Sequence, residues 1–199
     1  MEQLREAARK ERAPEELLKL SDLDLLAALG VLHANRLTRA GLLLAGMETS
    51  IHEHLPTYLW THLRMRSDAH YPDRADGREA LPVALNRVID RISADNPITT
   101  VEYGLFHFEY RTYPEIALRE ALMNAFCHAD FCIAGPILIK QFPRKIEISN
   151  PGGFIGGISP DNILHHEPVA RNPHLVDALT RLLWSIGATL ALHGCSWLC

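Results

Sequence analysis

The sequence predicts a fold of mixed α and β elements in which a helical N-terminal segment precedes intermixed helices and strands. Three observations carry this expectation. Leucines at 17, 18, 20, 23, 25, 26 and 29 recur at helical spacing. Stretches rich in aromatic and β-branched residues follow at 56–66 and 98–112. Amphipathic helical patterns separate those stretches and follow them, so strands and helices interleave along the chain.

Taken in order, residues 2–29 read as helical, with Ser21 or Asp22 capping a new turn and Gly30 ending the segment. "LTRAGLLLAG", 37–46, is a short apolar helix capped by Thr38 and stopped by Gly46. "PTYLWTHLRMR", 56–66, has strand composition. "YPDRADGRE", 71–79, reads as a loop from its Pro, Gly and Asp content. Residues 80–92 form an amphipathic helix with Pro82 in its first turn. Residues 98–112 are strand material broken at Gly104, and a helix starts at Pro114. "GPILIKQF" and "RKIEIS" make a hairpin around Pro143 and Arg144, with Ile146 and Ile148 on one face. A glycine-rich loop, 150–162, leads toward a last helix near Pro173.

Bulk properties narrow the function classes. With 199 residues and 47% apolar content, the chain can bury a sizeable core. A formal net charge of −4 argues against a nucleic-acid-binding surface spread over the whole chain. The basic residues Arg64, Arg66, Lys140, Arg144 and Lys145 are too dispersed to form a footprint. The charged start "MEQLREAARKER" lacks the apolar run of a signal peptide, and no stretch is long enough to span a bilayer. Cysteines at 127, 132, 195 and 199 form no CxxC pair and fit the reduced thiols of a cytoplasmic protein. No P-loop occurs.

The helix after Pro114 carries the chemistry. With about 100° per residue and Glu120 at zero, Asn124 falls near 40° and His128 near 80°. Leu118, Ala121, Leu122, Ala125 and Ala129 span roughly 100° to 200° on the same wheel. The polar stripe therefore borders the buried face, where groups lining a cleft belong. A glutamate there can orient and deprotonate a water. An asparagine oxygen is a hard ligand suited to Mg²⁺. Downstream, the four glycines of "NPGGFIGG" let the backbone approach a phosphate chain. The competing reading is structural: a surface Glu120, a buried hydrogen-bonding Asn124, and His128 favoured by the helix C-terminus. Cys127, His128, Asp130 and Cys132 lack zinc-site spacing, and His165, His166 and Glu167 read as a solvated loop cluster.

These residues also carry a likeness. "YPEIALREALMNAFCHADF…IEISNPGGFIGGISPDNI…ARNPHLVDAL" resembles the ATPase-like domain of transcriptional regulators related to RecG-type ATP-dependent DNA helicases. Such a domain is of the GHKL, or Bergerat, type and often follows a Schlafen-like AlbA DNA-binding domain. The resemblance spans roughly 20–182 and is densest over 113–179. It implies an α+β fold, a two-layer sandwich with helices packed on a mixed, largely antiparallel sheet over 51–182, after a helical connector at 1–50. It implies ATP and Mg²⁺ as ligands, DNA contact through domains outside this chain, and a homodimer. By resemblance Glu120 activates water as the catalytic residue, and Asn124 binds Mg²⁺. His128 falls where the family has His-Arg-Asp-Tyr, here His-Ala-Asp-Phe, so an arginine is lost at Ala129. Asn150 stands where related ATPases hold the adenine amino group with an aspartate. Gly152 and Gly153 stand for the first glycine box. Arg171 and Asn172 match "RNP", expected to brace a lid or reach phosphate; the alternative for Asn172 is a plain helix N-cap. A non-catalytic binding or dimerisation module is the rival function.

After Arg181 the likeness stops. The family continues with a segment like "GLVNRSNLGVARM", whereas this chain reads "LLWSIGATLALHGCSWLC". Codon degeneracy allows the second to encode a close version of the first in a shifted frame. Residues 183–199 are then expected to be an out-of-frame tail, and the chain the middle of a longer regulator.

Overall fold

The computed structural model describes residues 1–159, 161, 162, 165 and 169–182; the expected tail, 183–199, and His166 and Glu167 lie outside the described residues. The fold is α+β, with a helical N-terminal segment followed by helices packed on a mixed sheet, as a two-layer sandwich.

Three helices open the chain: α1 (Glu2–Lys10), α2 (Glu15–Leu18) and α3 (Asp22–Ala28). Ser21 caps α3, its hydroxyl accepting from the Asp24 amide at 3.2 Å. A small hairpin of β1 (Leu32–His33) and β2 (Arg36–Leu37) leads to α4 (Arg39–Ala45). Thr38 caps α4 by accepting from the Gly41 amide, and Gly46 ends it. Helix α5 (Glu48–His54) then brings the chain to the sheet. That helix was not apparent in the sequence, because Ile51 is its one buried residue.

The sheet has strand order β4-β3-β7-β8. Strand β3 (Trp60–Arg64) pairs antiparallel with β4 (Asp73–Gly77) and parallel with β7 (Ile137–Gln141), and β8 (Ile146–Ser149) closes the order antiparallel to β7. Strand β4 corrects the loop expected over 71–79. Three of its five residues are charged, and only Ala75 and Gly77 are buried. Register with β3, rather than propensity, makes it a strand. Gly77 is needed there because a Cβ would lie 2.5 Å from the Trp60 indole.

Register places Trp60, His62, Ala75, Ile137, Ile139, Ile146 and Ile148 on one face. Helices α6 (Leu81–Ala94) and α7 (Glu115–His128) cover that face, joined by α8 (Pro173–Arg181). The opposite face is polar, with Thr61 donating to Asp76 at 2.6 Å and Arg74 bridging to Asp76. One hydrophobic core runs from Leu4 to Leu182, so the N-terminal helices share it with α6, α7 and α8. Arg119 of α7 also reaches Glu11 at 2.6 Å.

Between α6 and α7 a separate hairpin, β5 (Ile98–Tyr103) and β6 (Phe106–Arg111), turns at Gly104 and Leu105. It forms its own two-stranded sheet, and every residue of β6 is exposed.

Candidate functional site: the polar stripe and C-terminal end of α7

Helix α7 is more enclosed than a single amphipathic wheel implies. Besides Leu118, Leu122 and Ala125, it buries Met123, Phe126 and Cys127. Glu120, Asn124 and His128 are half-buried and lie between buried residues on both sides. The expected stripe beside one buried face is thus a polar seam within a helix packed on several sides. Its first turn is the exception, with Ile116 79% exposed.

One oxygen of the Glu120 carboxylate, Oε1, is buried and has no hydrogen-bond partner. Such an orphan is uncommon, because leaving a buried acceptor unsatisfied costs about 1–3 kcal/mol. Asn124, one turn on, has no side-chain partner among the described residues, so two hard-oxygen groups stand adjacent on the seam without protein donors. This donor set fits a cation with its waters, or an ordered water. The His128 ring is held below the usual imidazole range, first by burial and then by the nearby Arg171 guanidinium. It is therefore a neutral group at neutral pH.

The loop residues meet the seam at its far end. From Glu120 to His128 the axis advances about 12 Å at 1.5 Å per residue. There the backbone carbonyls left open at the end of α7 are taken by side chains from two later segments. Asn150 donates Nδ2 to the carbonyls of His128 and Pro151, each at 3.2 Å. Asn172 donates Nδ2 to the carbonyls of Cys127 at 2.8 Å and Ala129 at 2.9 Å. Asn172 occupies the N-cap position of α8 yet makes no capping bond with its side chain. Arg171 pairs with Asp130 at 2.9 Å and donates to the Gly153 carbonyl at 2.6 Å. Asp130 also accepts from the Cys132 amide, and its own amide donates to Pro151.

Gly152 sits inside this clasp at φ +102°, where a Cβ would come 2.9 Å from the Asp130 Cβ and 3.2 Å from Arg171. Both the left-handed backbone and the close approach require glycine. Gly153, by contrast, faces open space. The structure therefore gathers His128, Asn150, Gly152, Gly153, Arg171 and Asn172 at one place, and leaves Glu120 and Asn124 farther up the helix. Asp130, the hub of the clasp, was weighed in the sequence only as a metal ligand. Its position just beyond a helix end, ahead of a glycine loop and an arginine, was the available signal. Beside the clasp, Thr57, Tyr58, Ala129, Asp130, Gly135 and Pro151 line a shallow indentation with no room for a water molecule. Cys127 is no ready ligand, since burial pushes its thiol up to about 12.

These features define an α+β domain with a polar seam along one helix and a clasp at that helix's C-terminal end. Residues 135–189 match the family described as "Putative ATP-dependent DNA helicase recG C-terminal", which supports a RecG-related, ATPase-like assignment for that region. Residues 1–61 match a domain of unknown function (DUF8451). The crystal structure of the DIP2311 protein from Corynebacterium diphtheriae shares the fold, with a TM-score of 0.77 and 24% identity over 91% of this chain. The chain spans 36% of the length of that protein. Among curated proteins none matches. No helix among the described residues is long and apolar enough to cross a membrane.

Proposed function

We propose that the chain binds ATP with Mg²⁺ along the α7 seam and hydrolyses it slowly, as the GHKL-like nucleotide domain of a DNA-linked transcriptional regulator. The observation that carries this reading is the orphaned Glu120 Oε1 beside the unpartnered Asn124. Glu120 orients a water and takes its proton. Asn124 offers its amide oxygen to the cation. Bound Mg²⁺ supplies charge to offset the triphosphate. Asn150 spends its amide nitrogen on α7, which leaves Oδ1 as an acceptor for an adenine amino group. Gly152 and Gly153 bring backbone close to the phosphates. Arg171 and Asn172 brace that loop, and His128 lies beside it as a neutral donor or acceptor. DNA association belongs to further domains, in keeping with the RecG-related match.

A second reading has its own support. Asn150, Arg171 and Asn172 all serve the end of α7, and the neighbouring indentation has no room even for a water molecule, whereas a usual ligand pocket holds about 300–1,000 Å³. A degenerate ATPase fold acting as a binding platform would look the same there. Thermal unfolding with and without Mg-ATP separates the two. Binding at about one hundred times the dissociation constant adds about 2.7 kcal/mol. A platform shows no shift, and its Glu120→Ala variant behaves as the parent does.

A further inference from the structure

The nucleotide reading makes no use of a polar cluster where β3, β4, β7 and α6 meet. His62 lies on the covered face of β3, and its Nδ1 accepts from Arg91 Nε at 3.4 Å. Its Nε2 lies 3.0 Å from Gln141 Oε1. Arg91 Nη2 donates in turn to Asp73, the first residue of β4. One guanidinium thus ties the last turns of α6 to both strands. Strand β4 lies at the sheet edge and buries only Ala75 and Gly77, which leaves its start dependent on polar ties. The charged groups that face the ring are Arg91 of α6, Asp73 of β4 and Arg64 of β3. Asp95, just past α6, pairs with Arg64 at 2.7 Å, and β7 contributes the uncharged Gln141.

We propose that His62, Arg91 and Asp73 form a proton-operated latch, in which a proton on His62 displaces Arg91 from Asp73 and unfastens the end of α6 from β4. The neutral ring has one acceptor nitrogen, and Arg91 uses it. The cation carries N–H groups at both positions. Nδ1–H would then confront Arg91 Nε–H, donor against donor and charge against charge. Nε2–H keeps its bond to Gln141 in either state, so the change falls on the Arg91 side. Asp73 is left as one carboxylate facing two cations. The ring is 2% exposed and has no way to water, whereas the Arg91 side chain is 29% exposed. The guanidinium therefore leaves for solvent, and Asp73 turns to the imidazolium that burial would otherwise leave unpaired. Gln141 still holds the carbonyls of Ile92 and Asp95, so α6 stays on the sheet and the motion is confined to its tie with β4. Burial first, and the Arg91 charge after it, favour the neutral ring. The latch is accordingly closed at neutral pH and opens on acidification.

The test is hydrogen exchange on the full chain, corrected for the intrinsic pH dependence of amide exchange. Between pH 7 and pH 5 the parent is expected to lose protection about tenfold over 71–77 and 88–95, the size set by losing a charge-assisted hydrogen bond, while 137–141 keep theirs. His62→Gln offers Arg91 an amide oxygen that no proton removes, and is expected to stay protected at both pH values. Asp73→Asn takes away the carboxylate, and is expected to be poorly protected at both. Imidazole nitrogen NMR on the parent locates the His62 titration, whose midpoint should match that of the exchange. Should His62→Gln fold poorly, that match in the parent decides. A parent whose protection holds while the ring titrates, a ring still neutral at pH 5, or either variant following the pH dependence of the parent overturns the inference.

Discussion

At the scale of single residues, Glu120 and His62 show opposite solutions to burying a polar group. Glu120 keeps one oxygen without a donor. His62 is buried between sheet and α6 with both ring nitrogens engaged: Arg91 Nε donates to Nδ1 at 3.4 Å, and Nε2 lies 3.0 Å from Gln141 Oε1. That arrangement fixes the neutral tautomer with its proton on Nε2. Gln141 in turn donates to the carbonyls of Ile92 and Asp95 at the end of α6. Burial above all lowers the His62 pKa; the Gln141 bond opposes this, and the Arg91 charge adds to it. An unfolded histidine takes a proton near pH 6.5, which the folded ring resists. Stability should therefore hold at neutral pH and fall as pH drops below about 6.5, by up to about 1.4 kcal/mol per pH unit for this group. Urea midpoints at pH 7 and pH 5 check this, and a His62→Gln variant should show a shallower fall. An equal fall would remove His62 as the cause. Glu120→Gln should raise stability in the absence of ligand by about 1 kcal/mol, since an uncharged amide is less costly to bury unpaired. A loss of similar size would mean that the carboxylate already has a stabilising role.

At the scale of elements, α7 decides which parts of the site were readable from sequence. Its start at Pro114, its end near His128 and its four-residue polar spacing are local features, and they are legible. What lay hidden was Met123 and Cys127 going inside, because tertiary packing covers a side that a wheel anchored on Leu122 leaves open. The same limit applies to β4, where pairing with β3 overrode a loop-like composition. The clasp at the end of α7 was visible only as separate pieces, "NPGG" and "RNP", since 20 residues lie between Asn150 and Arg171. The clasp is also open to test. Asn172→Ala leaves the carbonyls of Cys127 and Ala129 without their donor, and should destabilise by about 1–3 kcal/mol. Hydrogen exchange should quicken first at Asp130, whose amide reaches across to Pro151. A change below about 0.5 kcal/mol, ordinary for a surface substitution, would contradict a bracing role.

At the scale of the whole molecule, one core joins the N-terminal helices to the sandwich. The interleaved helix and strand patterns showed a fold of mixed helices and strands, while the α+β arrangement came from the family resemblance. The shared core did not show, because leucines at 25, 29, 43 and 44 carry no label saying which helices they will meet. The two family matches fall at opposite ends, 1–61 and 135–189, and α7 with its polar seam lies between them. The magnesium nucleotide proposed above would sit on that seam, at Glu120 and Asn124. Calorimetric titration with ATP, in Mg²⁺ and again in EDTA, tests it most directly when parent and Asn124→Leu are compared. The account predicts saturable binding by the parent in Mg²⁺ that weakens in EDTA, and that Asn124→Leu reduces to the EDTA level. No heat from the parent, or binding in Mg²⁺ that Asn124→Leu leaves intact, would contradict it.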